Sequence, residues 1–362
     1  MTARALVLER PRELRERELP LPDVGDDDGL LRVEACGLCG TDHEEWSGLL
    51  APGFGFVPGH ESVGVIEQVG SAAAKRWGVK VGDRVAVEVF LSCRQCEACC
   101  AGEYRRCDAH GLGDMYGLVP VDRAPGLWGG YATHQYLAPD SLLLPVPDSL
   151  DPVTATLFNP LGAGIRWAVT VPGTRAGDVV AVLGPGIRGL SAVAALREAG
   201  AGFVLVTGAG ERDRHRLELA REFGADLVVD VTEQDPAHLL RQVTGTLADV
   251  VVDVTAKAPA ALGQGVALTK AGGTLVLAGT RGSTETPGFD PDHVVYKELR
   301  ILGALGVDAL AYRAALDLLA TGRYPFQALP REVVSLDDAG QLLARMAGEA
   351  QPPPPVHGVV IA

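Results

Sequence analysis

The stretch GDVVAVLGPGIRGLSAVAALREAGAGFVLV, Gly177 to Val206, decides the fold of this chain. Its apolar, β-branched run Val179–Leu183 is too short for a helix and predicts a buried strand. A G-x-G-x-x-G turn follows, formed by Gly184, Gly186 and Gly189, and after it come a segment rich in helix formers and a second apolar strand. Glycines at these positions permit a tight turn, close approach to a pyrophosphate and close packing of the helix on the strand. The pattern therefore predicts a dinucleotide-binding turn with the pyrophosphate at the helix N-terminus.

Strands and helices alternate from this stretch to about residue 279, which predicts an α/β domain with a doubly wound parallel sheet of the Rossmann type. Upstream, short strands separated by glycine and proline turns predict a largely antiparallel β-rich domain. A helix is expected over residues 151–169 and another over 309–321, and the last residues are expected to return to the first domain as a strand. The predicted organisation is a β-rich domain of residues 1–150 and 297–362 and a nucleotide-binding domain of residues 151–296.

Composition and charge exclude several classes of function. The 362 residues carry a net charge of -14, which argues against nucleic acid as a partner because phosphate binding needs a basic face. No apolar run approaches the ~20 residues needed to cross a bilayer, so no membrane partner is expected. The N-terminal residues are charged and lack an apolar signal segment, which indicates a cytoplasmic protein.

Four cysteines in one loop have the spacing of a metal site. Cys93, Cys96, Cys99 and Cys107 follow the pattern C-x-x-C-x-x-C-x7-C, and we call the loop that carries them the four-cysteine lobe. Four thiolates can close a tetrahedron around Zn²⁺ without an open position, which is typical of a structural zinc site. A redox pair or unliganded thiols are the alternatives. Cys100 is out of this register, and a free, buried thiol is expected there.

A second, looser pattern lies nearer the N-terminus. Cys39 in GLCGTDH and His60 in PGHE are a thiolate and an imidazole suited to a catalytic zinc that keeps a position open for substrate. Thr41 lies two residues from the thiolate, where its hydroxyl could pass on the proton of an alcohol. Asp42 could accept the second ring hydrogen of His60, as outer-shell carboxylates do at metal sites. Taken singly, each residue would more often be structural.

With these motifs in this order, the chain resembles the zinc-containing medium-chain dehydrogenase/reductases, which include alcohol, sorbitol, threonine and glucose dehydrogenases. The resemblance rests on ACGLCGTD at 35–42, GHE at 59–61, GDRV at 82–85, the four-cysteine lobe and GPGIRG at 184–189. It implies a GroES-like catalytic domain around a Rossmann domain, a homodimer or homotetramer, and reversible hydride transfer between an alcohol and a nicotinamide dinucleotide. Zinc would act as a Lewis acid and the cofactor would carry the hydride.

The chain departs from the resemblance at the catalytic metal. Relatives of the sorbitol and glucose type carry a Glu-Pro-Leu triplet whose glutamate lies at the metal, and the matching residue here is Asn159. An amide brings no charge to offset Zn²⁺, so Glu61 is expected to serve as a ligand beside Cys39 and His60, with Asn159 a further ligand or a hydrogen-bond partner. Relatives often complete their proton relay with a histidine five residues after the cysteine. Glu44 stands at that place and His43 one residue earlier, so either could finish the relay.

The choice between NAD and NADP depends on the residues that follow the second strand. NAD-preferring domains place an acid there, whereas this strand runs into Thr207 and Gly208, with Glu211 slightly late and arginines next. Small residues and arginines suit a 2′-phosphate, so NADP is favoured over NAD. The alternative is that these charged residues only solvate the next helix. The predicted cofactor-binding residues are Gly184, Gly186, Ile187, Arg188, Gly189, Thr207, Gly208, Arg212, Arg214 and Thr255.

The sequence thus predicts a zinc- and NAD(P)-dependent alcohol or polyol dehydrogenase with a small-molecule substrate. One alternative within enzymes is a carbonyl reductase, or a metal-free hydride transferase if Asn159 abolishes the catalytic zinc. The other is a nucleotide-binding protein that kept the fold without the activity. The residues carry no motif that identifies the substrate.

Overall fold

The computed structural model describes residues 1–50, 53–256, 258–280, 285–286 and 288–362. Its strands are β1 (Thr2–Arg10), β2 (Glu13–Pro20), β3 (Gly29–Leu38), β4 (Glu61–Val69), β5 (Arg84–Val87), β6 (His134–Leu137), β7 (Leu143–Pro145), β8 (Val179–Leu183), β9 (Phe203–Gly208), β10 (Leu227–Asp230), β11 (Ala248–Asp253), β12 (Thr269–Leu277), β13 (Arg300–Gly303), β14 (Arg331–Ser335) and β15 (His357–Ile361). Its helices are α1 (Gly40–Ser47), α2 (Ser71–Trp77), α3 (Glu97–Cys100), α4 (Pro152–Ala155), α5 (Phe158–Ile165), α6 (Ile187–Glu198), α7 (Glu211–Glu222), α8 (Pro236–Thr244), α9 (Ala261–Leu268), α10 (Pro291–Tyr296), α11 (Ala309–Ala320) and α12 (Ala339–Met346).

The chain divides into two compact units. One consists of Met1–Asn159 and Asp308–Ala362, and we call it the catalytic unit; the other is Pro160–Val307, the nucleotide unit. The chain passes from one unit to the other after Asn159 and after Val307, further along than the boundaries predicted after residues 150 and 296. The predicted boundaries stay a prediction. Among the described residues, no helix has the length and apolar character needed to cross a bilayer.

The nucleotide unit is built on a six-stranded sheet in the order β10-β9-β8-β11-β12-β13. All neighbouring strands in it are parallel. The strand order reverses between β8 and β11, and in open α/β sheets ligands bind at this switch point, beyond the carboxyl ends of the strands. The predicted doubly wound sheet is confirmed, and β8 has the predicted bounds because a buried strand between glycine turns is a strong local signal.

The catalytic unit is built on a mostly antiparallel sheet in the order β14-β15-β3-β4-β5-β7, with β6 paired to β3. Strand β15 pairs in parallel with β14 and antiparallel with β3, so the C-terminal residues do return to this unit. The antiparallel register of β3 and β4 sets Gly37 opposite Glu61. The end of β3 and the start of β4 therefore meet, and residues just after the first and just before the second become neighbours.

The helix expected over residues 151–169 is interrupted. Asp151 caps α4, α5 starts at Phe158, and a π-helical turn covers Arg166–Thr170. Pro160 explains the restart, because proline has no N–H and is tolerated in a helix only within the first turn. The interruption places Asn159 at the start of α5 instead of inside a continuous helix.

Candidate active site

The local structure around Cys39 brings the predicted metal ligands together. Cys39 directly follows β3 and immediately precedes α1, while His60 and Glu61 stand at the start of the neighbouring β4. One ligand atom from each of Cys39, His60 and Glu61 lies within 4.8 Å of the other two, and all three residues are buried. A thiol, an imidazole and a carboxylate are the donor types that hold Zn²⁺, so the residues fit the metal.

Glu61 reaches this position because residue 37 is glycine. A Cβ at Gly37 would overlap the Glu61 carboxylate, and it would also press on the side chain of Thr156, with its nearest approach to the Thr156 Cβ at 3.2 Å. Any larger residue at position 37 would displace the carboxylate from this position. The glycine is therefore needed for the close approach of a side chain, which is one of the uses of glycine in a strand.

The first turn of α1 orients the thiol. The backbone N–H of Cys39 donates to Asp42 Oδ2 at 2.7 Å, and the Cys39 thiol lies 3.7 Å from the Thr41 hydroxyl. Asp42 Oδ1 is 3.6 Å from His60 Nδ1, which is longer than a hydrogen bond. The expected support of His60 by Asp42 is therefore a charge interaction in this structure, and the shorter contact of Asp42 is with the backbone of Cys39.

The site has a strongly negative local field. Burial lowers the pKa of His60, but the Asp42 carboxylate, together with Cys39 and Glu61, outweighs the burial and raises that pKa to about 10. Burial and the charge of Asp42 raise the pKa of the Glu45 carboxyl well above its usual range. Carboxylates and a thiol gathered in a buried space favour a cation among them, as a metal site requires.

Glu45 was not predicted from the sequence. Its side chain is 1% exposed, and among the described residues neither of its carboxylate oxygens has a hydrogen-bond partner. Helical spacing could have revealed it, because Asp42 and Glu45 are three residues apart and share the inner face of α1. His43 and Glu44, the two candidates for the relay, follow Thr41 on the same helix and are partly buried.

The four-cysteine lobe also gathers its thiols. The sulfur atoms of Cys93, Cys96, Cys99 and Cys107 all lie within 4.8 Å of one another. The N–H groups of Cys96 and Cys99 donate to the sulfur atoms of Cys93 and Cys96, each at 3.4 Å. Such N–H donors stabilise thiolates and fit a four-thiolate zinc site. Cys100 is exposed, so the expectation that it is buried was wrong. It is the last residue of the short helix α3, one position beyond the candidate ligand Cys99.

The predicted cofactor residues lie at the carboxyl ends of β8, β9 and β11. Gly184 follows β8 with a φ of +103°, and a Cβ on Gly189 would overlap the Gly184 carbonyl oxygen. A Cβ on Gly186 would meet no atom within 4 Å, so the helix N-terminus behind it is open to a pyrophosphate. Thr255 follows β11, and its hydroxyl donates to Asp253 Oδ1 at 2.6 Å. These residues at the switch point of the sheet therefore have the arrangement that is typical of a dinucleotide site.

The remaining cofactor candidates surround these residues. Ile187 is the first residue of α6, and the Arg188 guanidinium lies over the Trp167 ring, 4.9 Å from its centroid. Thr207 and Gly208 end β9, while Arg212 and Arg214 lie exposed in the first turn of α7. The structure thus brings the glycines, Thr207, Gly208 and Thr255 to one edge of the sheet, with the two arginines at the start of the following helix.

Comparison with known proteins gives matches along most of the chain. Residues 25–148 match the alcohol dehydrogenase GroES-like domain, and residues 189–321 match the zinc-binding dehydrogenase family. A Mycobacterium tuberculosis protein named "Probable alcohol dehydrogenase adh" is 67% identical over 358 residues, which cover 99% of this chain and 98% of that protein. The chain belongs to the zinc-containing medium-chain dehydrogenase/reductases. The predicted family and fold class are confirmed, and so is the predicted enzyme class, an NAD(P)-dependent alcohol dehydrogenase.

More distant relatives of this dehydrogenase agree in fold and class. The sorbitol dehydrogenase of Bacillus subtilis is 32% identical over 348 residues, covering 94% of this chain and 93% of the relative. A zinc-binding dehydrogenase from Sinorhizobium meliloti, solved bound to NADP, matches with a TM-score of 0.84 and 29% identity over the full length of both chains. Zinc and a nicotinamide cofactor are therefore assigned to the dehydrogenase at the level of its family.

Proposed function

We propose that this dehydrogenase interconverts a small alcohol or polyol and its carbonyl compound, with the metal held by Cys39, His60 and Glu61. The observation that carries the proposal is the convergence of these three buried donors within 4.8 Å. Zinc at these donors supplies a Lewis acid for the substrate oxygen, and the nicotinamide carries the hydride. The named activities of relatives, sorbitol and erythritol or threitol oxidation among them, support a polyol or a similar alcohol.

Charge explains why Glu61 belongs in the proposed ligand set. Cys39 as a thiolate and neutral His60 bring one negative charge to a divalent ion, and Glu61 brings the second. Asn159 is 4% exposed and stands where relatives carry a glutamate, but its amide contributes no charge. We therefore assign Glu61 as a ligand and Asn159 as a neutral ligand or hydrogen-bond partner at the same site.

The residues beside Cys39 account for the proton. The Thr41 hydroxyl, 3.7 Å from the thiol, accepts the proton that the alcohol loses as its carbon is oxidised, and donates its own proton onward. His43 or Glu44 receives that proton on the same helix and passes it to solvent. In the reverse reaction the same groups deliver a proton to the carbonyl oxygen.

The second zinc belongs to the four-cysteine lobe in this proposal. Its four thiols leave no position for substrate, so the ion would stabilise the lobe and take no part in the chemistry. None of the seven cysteines forms a disulfide in the described structure, which supports a reducing compartment, the cytoplasm, since secreted proteins tend to oxidise such thiols.

We favour NADP as the cofactor. Residue 208, at the end of β9, is glycine and brings no carboxylate that would repel a 2′-phosphate. Arg214 pairs with Glu211 at 2.8 Å, and both side chains are exposed. A 2′-phosphate would compete with Glu211 for Arg214, because a phosphate can accept two parallel hydrogen bonds from the guanidinium group. The NADP-bound Sinorhizobium meliloti dehydrogenase supports the same choice.

The edge of the nucleotide sheet supports a homodimer or homotetramer. Strand β13 ends the sheet, and in the described part of the unit no further strand pairs with its outer edge. Val295 and Tyr296, just before it, are 70% and 77% exposed. An unpaired edge beside large exposed apolar side chains favours pairing with a second copy.

The metal content and the activity test the proposal together. The purified protein should hold two zinc ions per chain and reduce NADP⁺ with at least one member of a panel of alcohols and polyols. Glu61→Gln should lose the catalytic zinc during dialysis against a chelator by orders of magnitude faster than wild type, because a charged ligand is gone. Asn159→Glu should retain it longer, because a carboxylate replaces the amide.

Glu67→Gln is the matched control, since Glu67 lies on the same strand β4 and pairs with His134 away from the metal ligands. If Glu61→Gln keeps both zinc ions as long as wild type, Glu61 is not a ligand. One zinc per chain in the wild type, with NADPH oxidised on a carbonyl panel, would indicate the metal-free reductase instead.

A further inference from the structure

An acidic residue of α7 lies against the end of β9. A Cβ built on Gly208, the last residue of the strand, would lie 3.0 Å from the Asp213 Cβ and 3.1 Å from the Pro185 Cγ. Pro185 stands between Gly184 and Gly186 in the glycine turn after β8. Asp213 and the glycine turn therefore border the same space above Gly208. They come this close because residue 208 has no side chain.

Asp213 is held in this position by two contacts. Its Oδ2 accepts from the Ala209 N–H at 3.0 Å, and its Oδ1 lies 3.7 Å from Nη1 of Arg216. The first contact is a hydrogen bond, whereas the second is a longer charge interaction. The Asp213 side chain is 17% exposed, and a carboxylate has about four acceptor positions. Acceptor capacity therefore remains for a ligand.

The other acid at the start of α7 does not take this place. Glu211 follows the end of β9 more closely in the sequence, but its side chain is 79% exposed and pairs with Arg214 at 2.8 Å. Both acids belong to the first turn of the helix. Asp213 is thus the one that lies at the strand end.

The backbone after β9 has two N–H groups engaged with carboxylates. Ala209 donates to Asp213, and the Gly210 N–H donates to Asp230 Oδ1 at 2.9 Å. Successive N–H groups that are free in a turn form an anion site, as in phosphate-binding loops. Because these two already have anionic partners, a 2′-phosphate at this turn would depend on side chains such as those of Arg212 and Arg214.

We propose that Asp213 limits the preference for NADP: its carboxylate accepts from the ribose 2′-hydroxyl of NAD and repels a 2′-phosphate. In dinucleotide-binding domains this role belongs to an acid at the end of the second strand, and that position is Gly208 here. The role rests on the dinucleotide site and the cofactor choice proposed above. The exposed arginines favour NADP, Asp213 opposes them, and the enzyme binds both dinucleotides.

Binding titrations test the role without any activity measurement. NADPH and NADH are each titrated into the full-length protein at one fixed salt concentration, and the fluorescence of the reduced nicotinamide is followed. Asp213→Asn keeps the size of the side chain and an oxygen for the Ala209 N–H, so the start of α7 keeps its support. Asp213→Ala removes the acceptor altogether. Glu218→Gln is the matched control, since it removes one negative charge from the same helix at a side chain that is 65% exposed.

Asp213→Asn should weaken the binding of NADH about tenfold, because a hydrogen bond to a charged group becomes one to a neutral group. The same variant should tighten the binding of NADPH, because a repulsive charge is gone. Asp213→Ala should change the two affinities in the same directions. Glu218→Gln should leave their ratio as in wild type. The opposite signs separate this role from a structural one, since a loosened α7 would weaken both cofactors.

Three outcomes would overturn the proposal. Equal changes for the two cofactors, or no change, in Asp213→Asn would remove the role and leave the cofactor choice of the wild type standing. An equal shift of the ratio in Glu218→Gln would show a general effect of charge on α7. A wild type that binds neither dinucleotide would overturn the dinucleotide site itself and the role with it, and that case is recognised from the wild type alone.

Discussion

Glu88→Gln should flatten the pH dependence of stability of this dehydrogenase. Glu88 follows β5 and is 0% exposed. Its carboxyl accepts from the Tyr104 hydroxyl at 2.6 Å and from the Phe90 N–H at 3.3 Å. Burial raises its pKa from 4.5 to about 8, against these hydrogen bonds and the charge of Arg105, which lower it. The carboxyl is therefore mostly protonated in the folded protein at neutral pH.

The sign and the size follow from the two pKa values. The folded state binds the proton more tightly than the unfolded state, so this stabilisation is complete below pH 4.5 and is lost as the pH rises through about 8. With these values the linkage relation gives a loss of about 2.5 kcal/mol between pH 5 and pH 7. Glutamine has no proton to lose and keeps both hydrogen-bond partners, so Glu88→Gln should not show this loss.

The assay is the free energy of unfolding by urea at several pH values from 5 to 8, for wild type and Glu88→Gln side by side. All other titrating groups are shared, so the difference between the two curves isolates Glu88. Glu97→Gln, which removes an exposed carboxylate of the four-cysteine lobe, reports the effect of charge alone. Parallel curves for wild type and Glu88→Gln would refute the reasoning, because Glu88 would then titrate alike in both states.

Three further predictions concern the lobe, the proton and the cofactor. Serine at any one of the four lobe cysteines should remove one zinc per chain and lower the melting temperature, because the free energy of metal binding there also stabilises the fold. Unchanged metal content in all four variants would rule out the site. Cys100→Ser, at an exposed position, is the control. Thr41→Val should lower turnover about 10²–10⁴-fold with little change in cofactor affinity, whereas near-normal turnover, or a Thr41→Ser variant as slow as valine, would defeat the relay. Alanine at both Arg212 and Arg214 should weaken the binding of NADPH far more than that of NADH in a titration, because only NADPH offers a 2′-phosphate to the guanidinium groups. Equal losses of affinity for the two cofactors, or a similar effect of Arg221→Ala at the other end of α7, would contradict this.

The parts of the fold that could be predicted are those written in local patterns. The bounds of β8 follow from a β-branched run between glycines, and the four-cysteine lobe from its spacing alone. The interruption after Ala155 was missed because the segment is rich in apolar residues, although Pro160 carried the signal. Proline is compatible with the first turn of a helix and incompatible with its interior, so its position marks a helix start.

The site was predictable where motifs carry it and unpredictable where the tertiary fold assembles it. Cys39, His60 and Glu61 lie in short motifs at two adjacent strand ends, so their convergence follows from one strand pairing. The contact of Asp213 with Gly208 depends on how the turn between β9 and α7 folds, and no spacing or composition points to it. The distance from Asp42 to His60 could not be predicted from the sequence either, because it depends on how α1 starts after Cys39.

The contact between Arg105 and Asp308 connects the four-cysteine lobe to the start of α11. Arg105 stands in the turn just before Cys107, and Asp308, whose Oδ2 lies 3.9 Å from Nη1 of Arg105, caps α11. Zinc in the lobe, as proposed above, would therefore also help to hold the start of α11, and removal of that zinc should loosen the helix as well as the lobe.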